Sequence, residues 1–288
     1  MSLLQIIILA LVQGLAELLP VSSSAHVVVA EKLMGLDPSS PSMTLLLVML
    51  HTGTMLAVIV YFWRQWRTSY FQSMAAFKEV VVNIVLATVL TGAISGAIIT
   101  GIEKIGFRDV KNAQIEDLFS HLEIMAPALA LGGALILIAG LYARLKPAGA
   151  VAAAGLSIRQ AGLIGAVQGL CLPFRGLSRS GATISVGMLA GVTKSRAEAF
   201  SFALAVVLTP AVVAREVIRL MHFQSRSGAA SLLSAFTPSL LGAMVAFLAG
   251  LLALRWLSRW LESGRWYCFG IYCLIAAAVV AELHRRGY

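Results

Sequence analysis

Charged side chains are scarce in this sequence. They make up 12% of its 288 residues, whereas a soluble domain usually carries about 25%. Hydrophobic residues account for 59% of the chain, and its mean hydropathy is +0.88. Because so apolar a chain would expose a surface unsuited to water, the composition excludes an ordinary soluble enzyme or soluble binding protein.

Cysteine is scarce as well, which bears on metal and disulfide chemistry. Cys171, Cys268 and Cys273 all lie in apolar stretches, and their spacing matches no common metal site. We therefore expect these cysteines to be small buried hydrophobic residues rather than metal ligands.

The chain also lacks clusters of basic residues, although its net charge is +9. Its lysines and arginines occur singly or in pairs, mostly in the connections between apolar runs. This pattern is typical of residues that flank membrane spans. We therefore expect the chain to be embedded in a membrane bilayer and to have no nucleic acid partner.

What the sequence does contain is a series of long apolar runs. A helix needs about 20 apolar residues to cross the hydrocarbon core of a bilayer. Six runs have about that length: 43–62, 80–102, 124–143, 199–220, 233–254 and 266–283. We predict an all-α integral membrane protein with six transmembrane helices, folded as a single membrane domain over residues 1–288.

Two further apolar segments, 3–34 and 160–192, are interrupted in the middle by polar residues. They share four features in the same order, at an offset of about 155 residues. These are the letters VQGL at 12–15 and 167–170, a proline, a Ser-x-Ser at 22–24 and 178–180, and a glycine at 35 and 191. Four matches in order predict an internal duplication, with repeat one at about residues 1–150 and repeat two at about 151–288.

The duplication has a topological consequence, because three complete spans separate its two copies. An odd number of crossings inverts the second copy relative to the first. If each interrupted segment is a re-entrant helix-break-helix hairpin, one hairpin enters from each face and their tips meet near the midplane. The sequence therefore predicts an inverted repeat, in which irregular backbone lies deep in the membrane beside a cavity.

The residues at the two interruptions suit helix ends. Pro20 and Pro173 help to end the incoming half-helices, because proline lacks a backbone N–H and clashes with the preceding turn. The serines of 22–24 and 178–180 follow where the outgoing half-helices begin, and a serine hydroxyl there accepts from free backbone N–H groups. Two converging helix N-termini carry partial positive charge and unpaired donors, which predicts an anion site.

Glu17 is an ionisable residue inside an apolar stretch, and such residues are costly enough to be functional candidates. Gln13 lies one helical turn earlier, on the same face. Arg179, at the tip of the second hairpin, is the expected partner of Glu17, since its guanidinium presents a planar fork of donors suited to phosphate oxygens. A purely structural ion pair between Glu17 and an arginine is the alternative.

A carboxylate, an arginine, several hydroxyl groups and two helix N-termini together resemble the groups that perform phosphoryl transfer. A carboxylate repels a phosphate, so its presence indicates either proton transfer or a divalent cation that bridges the two. We expect a divalent cation, Mg²⁺ or Ca²⁺, with Glu17 as its protein ligand.

Two histidines lie in or near these segments. His26 follows the first serine cluster and could act as general acid, general base or nucleophile, or could instead hydrogen-bond between helices. His51 lies near the start of a span, beside Thr52 and Thr54, and we interpret it as a packing or interface residue. Of the two, His26 is therefore the candidate for catalysis.

These residues resemble the motifs of the bacterial undecaprenyl-pyrophosphate phosphatases, a family associated with bacitracin resistance. That family has a Glu-or-Gln-xxx-Glu motif, matched at 13–17, and a PVSS-x-x-His segment, matched at 20–26. Its second motif, PGxSRSxxT, is matched by RGLSRSGAT at 175–183. The length and the order of apolar segments match over essentially the whole chain.

The resemblance implies catalytic roles for Glu17, Ser23, His26 and Arg179. It also implies a divalent cation, an active site open to the extracytoplasmic side, and a polyprenyl pyrophosphate, the C55 lipid undecaprenyl pyrophosphate, as substrate. The positions expected to bind the substrate are Gln13, Ser22, Ser24, Arg175, Gly176, Ser178, Ser180, Gly181 and Thr183.

Two departures from the family pattern affect these expectations. Gln13 stands where many members have a glutamate, which leaves one carboxylate fewer for a metal. The proline of the second motif has moved back to Pro173, and Phe174 and Arg175 precede the glycine. We therefore expect a different approach to the second loop and an additional phosphate contact from Arg175.

One face of the predicted topology holds eleven basic residues, whereas the other holds about nine together with most of the acidic residues, and we place the first face in the cytoplasm. Both termini and the mouth of the first hairpin would then lie outside, in a multi-pass protein of the bacterial inner membrane. The main alternative function is a flippase or transporter of a polyprenyl phosphate, because inverted repeats with broken helices also serve transport. The sequence is compatible with a homodimer. A purely structural scaffold is disfavoured, because both breaks carry anion-binding residue types.

Overall fold

The computed structural model of the chain describes residues 1–37, 40–106, 122–145, 155–227 and 230–287. Within these ranges the chain is helical, which confirms the predicted all-α class. The helices are α1 (Leu3–Leu18), α2 (Ser23–Leu33), α3 (Pro41–Ser69), α4 (Met74–Gly106), α5 (Leu122–Leu145), α6 (Ile158–Cys171), α7 (Arg179–Leu189), α8 (Lys194–Ser227), α9 (Ala230–Glu262) and α10 (Trp266–Arg285).

Five helices, α3, α4, α5, α9 and α10, are long and apolar enough to cross a membrane. They coincide with five of the six predicted spans, so the chain is a multi-pass membrane protein. The sixth predicted span, 199–220, lies in α8, where several side chains fall outside the described part of the chain. Its crossing of the membrane stays a prediction.

Both interrupted segments are broken helices, as predicted. The first helix ends at Leu18, and α2 begins at Ser23 after a turn that contains Pro20. In the second segment α6 ends at Cys171, and α7 begins at Arg179. We call the residues between the helices turn one (19–22) and turn two (172–178). In both turns a proline lies shortly after the end of the first helix, and a serine immediately precedes the second helix.

The two broken segments share details of local structure. Both α1 and α6 begin with a capping box, in which a serine and a glutamine satisfy each other's free backbone N–H groups. Both α2 and α7 are followed by a glycine of positive φ, which continues the chain in a left-handed conformation. The residues are Ser2 and Gln5, Ser157 and Gln160, and Gly35 and Gly191. Similarity of this kind is what an internal duplication predicts.

Each incoming half-helix packs closely against a long helix from the other half of the chain. A Cβ added at Gly14 of α1 would lie 2.8 Å from the Ala246 carbonyl oxygen of α9. A Cβ added at Gly165 of α6 would lie 2.4 Å from the Ala87 carbonyl oxygen of α4. Small residues allow membrane helices to approach in this way, so the two halves are interlocked.

Helices α5 and α10 pack against each other, and together they contact both turns. These two helices touch at glycines, and a Cβ at Gly270 would lie 2.6 Å from the Leu137 backbone nitrogen. Turn two lies against α5, where a Cβ at Gly176 would be 2.5 Å from the Met125 carbonyl oxygen. Turn one lies against α10, because the Cys273 thiol donates to the Pro20 carbonyl at 3.4 Å. One rigid pair of helices therefore fixes both turns.

Candidate active site

A cavity of about 260 Å³ lies between turn one and turn two, with walls from α3 and α8. Most of its polar lining comes from the N-cap and first residues of α2 and α7, so two helix N-termini face one space. It is lined by Ala16, Glu17, Ser22, Ser23, Ser24, His51, Cys171, Leu172, Phe174, Arg175, Leu177, Ser178, Arg179, Ser180, Ala205, Leu208, Thr209 and Val213. The predicted convergence of the two serine clusters is thereby confirmed.

The backbone of turn one is strained at Ser22. This residue has a φ of 68°, and within the described ranges it is the one residue other than glycine with a positive φ. Such conformations are disfavoured for side chains with a Cβ and persist only where the surroundings enforce them. The Ser22 hydroxyl lies 3.2 Å from the Ser24 hydroxyl and does not cap α2, so the predicted serine cap is wrong at this end.

Turn two follows the predicted capping pattern. The Ser178 hydroxyl accepts from the Gly181 N–H at 3.2 Å and so caps α7. Thr183 is fully buried, and its hydroxyl donates to the Arg179 carbonyl at 2.8 Å. A further contact of 2.6 Å joins that hydroxyl to Ser201 of α8. The backbone of Arg179 is thus held from the second turn of its own helix.

Glu17 is the centre of the site and joins the two turns. Its Oε2 accepts from the Ser23 hydroxyl and, at 3.2 Å, from the Gln13 amide. Its Oε1 lies 3.3 Å from Nη2 of Arg179, and the two side chains are 18% and 20% exposed. The predicted pairing across the two interrupted segments is confirmed, since 162 positions separate the partners.

Arg179 has a second donor that this ion pair does not use. Its Nη1 is buried and makes no hydrogen bond to the residues that the structure describes. An unmet buried donor on a charged group is costly, and native structures seldom retain one without a functional reason. Arg179 also lines the cavity, so its guanidinium borders the space in which an anionic group could bind, which a purely structural ion pair does not require.

His51 of α3 completes the wall beside Glu17. Its Nδ1 lies 3.0 Å from the Gln13 amide nitrogen and 3.9 Å from Oε2 of Glu17. The interpretation of His51 as a packing residue is therefore wrong, since the side chain belongs to the polar cluster. Its one sequence signal was an ionisable group inside an apolar run, the same signal that singled out Glu17.

His26, by contrast, lies on the other side of α2. It does not line the cavity but occupies an apolar groove between α2 and α10. Its Nδ1 is 2.8 Å from the Ser22 carbonyl oxygen, and its Nε2 is 2.7 Å from the Tyr272 hydroxyl. The structure therefore does not bring His26 together with Glu17 and Arg179 in the cavity.

Several predicted substrate-binding residues serve as supports instead of lining the cavity. Gln13 orients Glu17 and His51, and Thr183 holds the backbone of α7. Gly176 and Gly181 face α5, where a Cβ at Gly181 would lie 2.5 Å from Ile136. The predicted substrate-binding residues that do line the cavity are Ser22, Ser24, Arg175, Ser178 and Ser180. Cys171 and Thr209 line it as well, which the sequence did not indicate.

The donor set at the cavity is relevant to a divalent cation. Among the described residues, no group of three or more His, Cys, Asp or Glu side chains could hold a metal ion. The cavity does offer the carboxylate of Glu17 and the hydroxyl of Ser23. Mg²⁺ commonly binds through one or two carboxylates together with substrate phosphates and water. These residues therefore fit a cation that takes most of its ligands from a bound phosphate.

Comparison with known proteins assigns the chain to a family. The family described as "Bacitracin resistance protein BacA" matches residues 6–279. Undecaprenyl-diphosphatase 2 of Acinetobacter baylyi is 53% identical over 286 residues, which cover 98% of each chain. Undecaprenyl-diphosphatases of Desulfosudis oleivorans and Gluconacetobacter diazotrophicus are 32% and 33% identical, over 98% and 97% of this chain and 99% and 96% of their own. This chain belongs to the BacA family of bacitracin resistance proteins.

Proposed function

We propose that this protein hydrolyses undecaprenyl pyrophosphate to undecaprenyl phosphate and inorganic phosphate, and so recycles the lipid carrier for cell-wall polymer synthesis. The observation that carries the proposal is the meeting of Glu17 and Ser23 from the first broken segment with Arg179 from the second in one cavity. The names of the relatives point to the same substrate and reaction. They give no support to the alternative of a flippase or transporter.

The terminal phosphate of the substrate would bind between the two turns. The guanidinium of Arg179 lines the cavity and supplies positive charge, and the N-termini of α2 and α7 supply further N–H groups and partial positive charge. Phosphoryl transfer depends mainly on positioning and on neutralising charge at the transferred group. A cavity with these donors, in a setting of low dielectric constant, provides both.

Ser23 is the nucleophile that the geometry favours. Its hydroxyl donates to Glu17, the arrangement of a nucleophile next to a general base. In the first step the Ser23 oxygen bonds to the terminal phosphorus, its proton passes to Glu17, and the bond from that phosphorus to the bridging oxygen breaks. Undecaprenyl phosphate leaves. Glu17 passes its proton to the departing undecaprenyl phosphate and is again a base. Water then attacks the phosphoserine and gives a proton to Glu17, the bond from phosphorus to the Ser23 oxygen breaks, and Glu17 returns that proton to the Ser23 oxygen as inorganic phosphate is released.

The sequence alone left the nucleophile open between Ser23, His26 and water. Both ring nitrogens of His26 have partners outside the cavity, which disfavours direct attack by this residue. A water activated by Glu17 differs from Ser23 in leaving no covalent intermediate. Acid quenching of the protein during turnover, followed by mass spectrometry, should find a phosphate on Ser23; its absence at every time point would support water instead.

The test of the proposed activity is release of phosphate in detergent micelles. Purified protein incubated with undecaprenyl pyrophosphate should release one inorganic phosphate per lipid and leave undecaprenyl phosphate. An Arg144→Ala variant is a suitable control, because Arg144 lies over the ring of Tyr267 and does not line the cavity. Lack of release by the wild-type protein, with binding of the lipid retained, would contradict the proposal.

We also propose a divalent cation, Mg²⁺ or Ca²⁺, held by Glu17 and by the pyrophosphate, with the Ser23 hydroxyl beside it. When bound, such a cation neutralises negative charge on the pyrophosphate. Gln13 donates to Glu17 through its amide and supplies no second carboxylate. The protein itself therefore contributes few ligands to the cation. Affinity for the cation should therefore depend strongly on whether the substrate is present.

Chelation should abolish phosphate release, and added Mg²⁺ or Ca²⁺ should restore it. In a Gln13→Glu variant, the second carboxylate should lower the cation concentration needed for half-maximal rate by roughly tenfold, since ligand charge tunes affinity for hard cations. Gln5→Glu makes the same change earlier in α1, in its capping box, and should leave this concentration unchanged. Full activity of the wild-type protein in excess chelator would exclude the cation.

For the topology we propose six membrane spans and two re-entrant hairpins in an inverted repeat. Basic residues at the ends of α3, α5 and α8 collect on one face, where Arg144 and Lys194 both lie beside Gly264 and Gln65 bonds to the Ser195 carbonyl. The positive-inside rule places this face in the cytoplasm. The protein would then lie in the bacterial inner membrane, with its active site reached from the extracytoplasmic side.

Labelling with a membrane-impermeant maleimide tests this orientation. A cysteine introduced at Arg285, exposed at the end of α10, should react on intact cells. A cysteine at Ser263, exposed between α9 and α10, should react only after the cells are permeabilised, because it lies on the basic face. The reverse result would invert the proposed topology.

A further inference from the structure

Two adjacent residues of α10 contact turn one and the start of α2. Cys273 donates to the Pro20 carbonyl at 3.4 Å. The Tyr272 hydroxyl lies 2.7 Å from Nε2 of His26, and the two rings are stacked, with centroids 5.7 Å apart and planes inclined by 12°. Neither Tyr272 nor His26 lines the cavity. The other ring nitrogen of His26 nevertheless contacts the Ser22 carbonyl, in the backbone next to Ser23.

The hydrogen bonds of His26 determine its tautomer. A carbonyl oxygen only accepts, so the contact of 2.8 Å with the Ser22 carbonyl requires the proton on Nδ1. In the neutral ring Nε2 is then an acceptor, and the Tyr272 hydroxyl must be its donor. The hydrogen bonds therefore run in one direction, from Tyr272 to His26 and from His26 to the Ser22 carbonyl. An imidazole occupied in this way on both nitrogens is not free to exchange protons with the cavity.

The orientation of the Ser22 carbonyl directly affects the backbone of Ser23. It belongs to the same planar peptide unit as the Ser23 N–H, and in a trans peptide the two point in opposite directions. The Ser22 carbonyl points towards His26, on the side of α2 that faces α10. The Ser23 N–H of the same peptide therefore points away from that side, and Ser23 lines the cavity. Ser22 has a positive φ that its own side chain does not favour, and the helical hydrogen bond from the His26 N–H to the Ser22 carbonyl is long, at 3.4 Å. The contact of 2.8 Å from the His26 ring is therefore the closer of the two that hold this peptide in place.

We infer that Tyr272 is a positioning residue, which acts through His26 on the Ser22 carbonyl and thereby orients Ser23 for attack. The inference rests on the proposed function. It gives His26 a role that differs from acid, base or nucleophile, and it adds Tyr272, which no sequence motif indicated. The competing role is structural, in which Tyr272 only provides a polar partner for an imidazole that faces the membrane interior.

Removal of the Tyr272 hydroxyl tests the inference. Tyr272→Phe keeps the ring but loses the donor to His26, and kcat for undecaprenyl pyrophosphate should fall roughly tenfold, the effect of one hydrogen bond of ordinary strength. KM should change little, since Tyr272 does not line the cavity. The matched control is Tyr61→Phe, which loses a hydroxyl bonded at 3.0 Å to Ser258, away from the cavity. Equal kcat values for the two variants would overturn the inference.

Substitution of His26 separates positioning from proton transfer. Asparagine places an amide N–H at nearly the position of Nδ1 and can still donate to the Ser22 carbonyl, but it cannot transfer a proton at neutral pH. His26→Asn should therefore retain at least ten times the activity of His26→Ala, and adding Tyr272→Phe to His26→Asn should cause no further loss. Equal inactivity of the asparagine and alanine variants would overturn the positioning role.

These outcomes are distinct from failure of the proposed function. If the wild-type protein releases no phosphate from undecaprenyl pyrophosphate, the function itself is contradicted. If the wild-type protein is active, the inference succeeds or fails on the kcat of Tyr272→Phe relative to Tyr61→Phe. If Tyr272→Phe does not fold, the comparison of His26→Asn with His26→Ala decides in its place.

Discussion

Arg179→Ala is expected to lower phosphate release from undecaprenyl pyrophosphate by a factor on the order of 10³ or more, as for the loss of other charge-stabilising groups. The variant loses the ion pair to Glu17 and also the buried Nη1 donor, which has no partner among the described residues. The ion pair orients the carboxylate, and the same guanidinium borders the cavity in which the phosphate would bind. The measurement is the initial rate of phosphate release at saturating lipid and cation.

Substitution of Arg179 by lysine tests whether a positive charge is sufficient or whether the planar shape of the guanidinium is also required. Arg179→Lys retains a positive charge but lacks the planar fork, so it can contact either Glu17 or the phosphate well, though not both. Its rate should lie between those of the wild-type and alanine proteins. Arg144→Ala, which removes an arginine that does not line the cavity, should retain the wild-type rate. Near wild-type hydrolysis by Arg179→Ala would refute the assignment of this residue.

Glu17→Gln is expected to have the second large effect, a loss on the order of 10³ in kcat, as is usual when a general base is removed. The amide can still accept a hydrogen bond from Ser23, but it cannot take up the serine proton or provide a charged ligand for a cation. The side chain keeps nearly the same size and shape, so the fold should persist.

The chain offers a matched control for this change. Glu198 is also a buried carboxylate that accepts from a serine hydroxyl, Ser258, at 2.6 Å, but it does not line the cavity. Glu198→Gln should therefore share the cost to stability and leave kcat unaltered. If both glutamine variants lost activity equally, the effect at Glu17 would be structural, and its role as base would have to be withdrawn.

The parts of the site that follow local rules were predictable from the sequence. A proline followed within a few residues by a serine predicted both helix breaks, and the three spans between the two segments predicted that their tips meet. The pairing of Glu17 with Arg179 followed, because a charge buried in an apolar stretch needs an opposite charge, and the second interrupted segment contains this arginine at its tip.

The parts that depend on helix rotation were not predictable. His51 and Tyr272 lie on long apolar helices, where nearly every face is hydrophobic and the sequence does not show which face meets the site. The direction of His26 depends on the left-handed conformation of Ser22, which sequence rules do not anticipate for serine. The side of α2 on which His26 lies is therefore a property of the assembled fold.

The central claim is that Arg179 from the second broken segment and Glu17 from the first act on the same phosphoryl group. Its most direct test is chemical rescue: phosphate release by purified Arg179→Ala protein as guanidinium is added at non-denaturing concentrations. We expect release to rise and then saturate with guanidinium in that variant, and to remain at background in the Glu17→Gln/Arg179→Ala double variant. Equal rescue of the double variant, or a wild-type rate in Arg179→Ala without guanidinium, would contradict the claim.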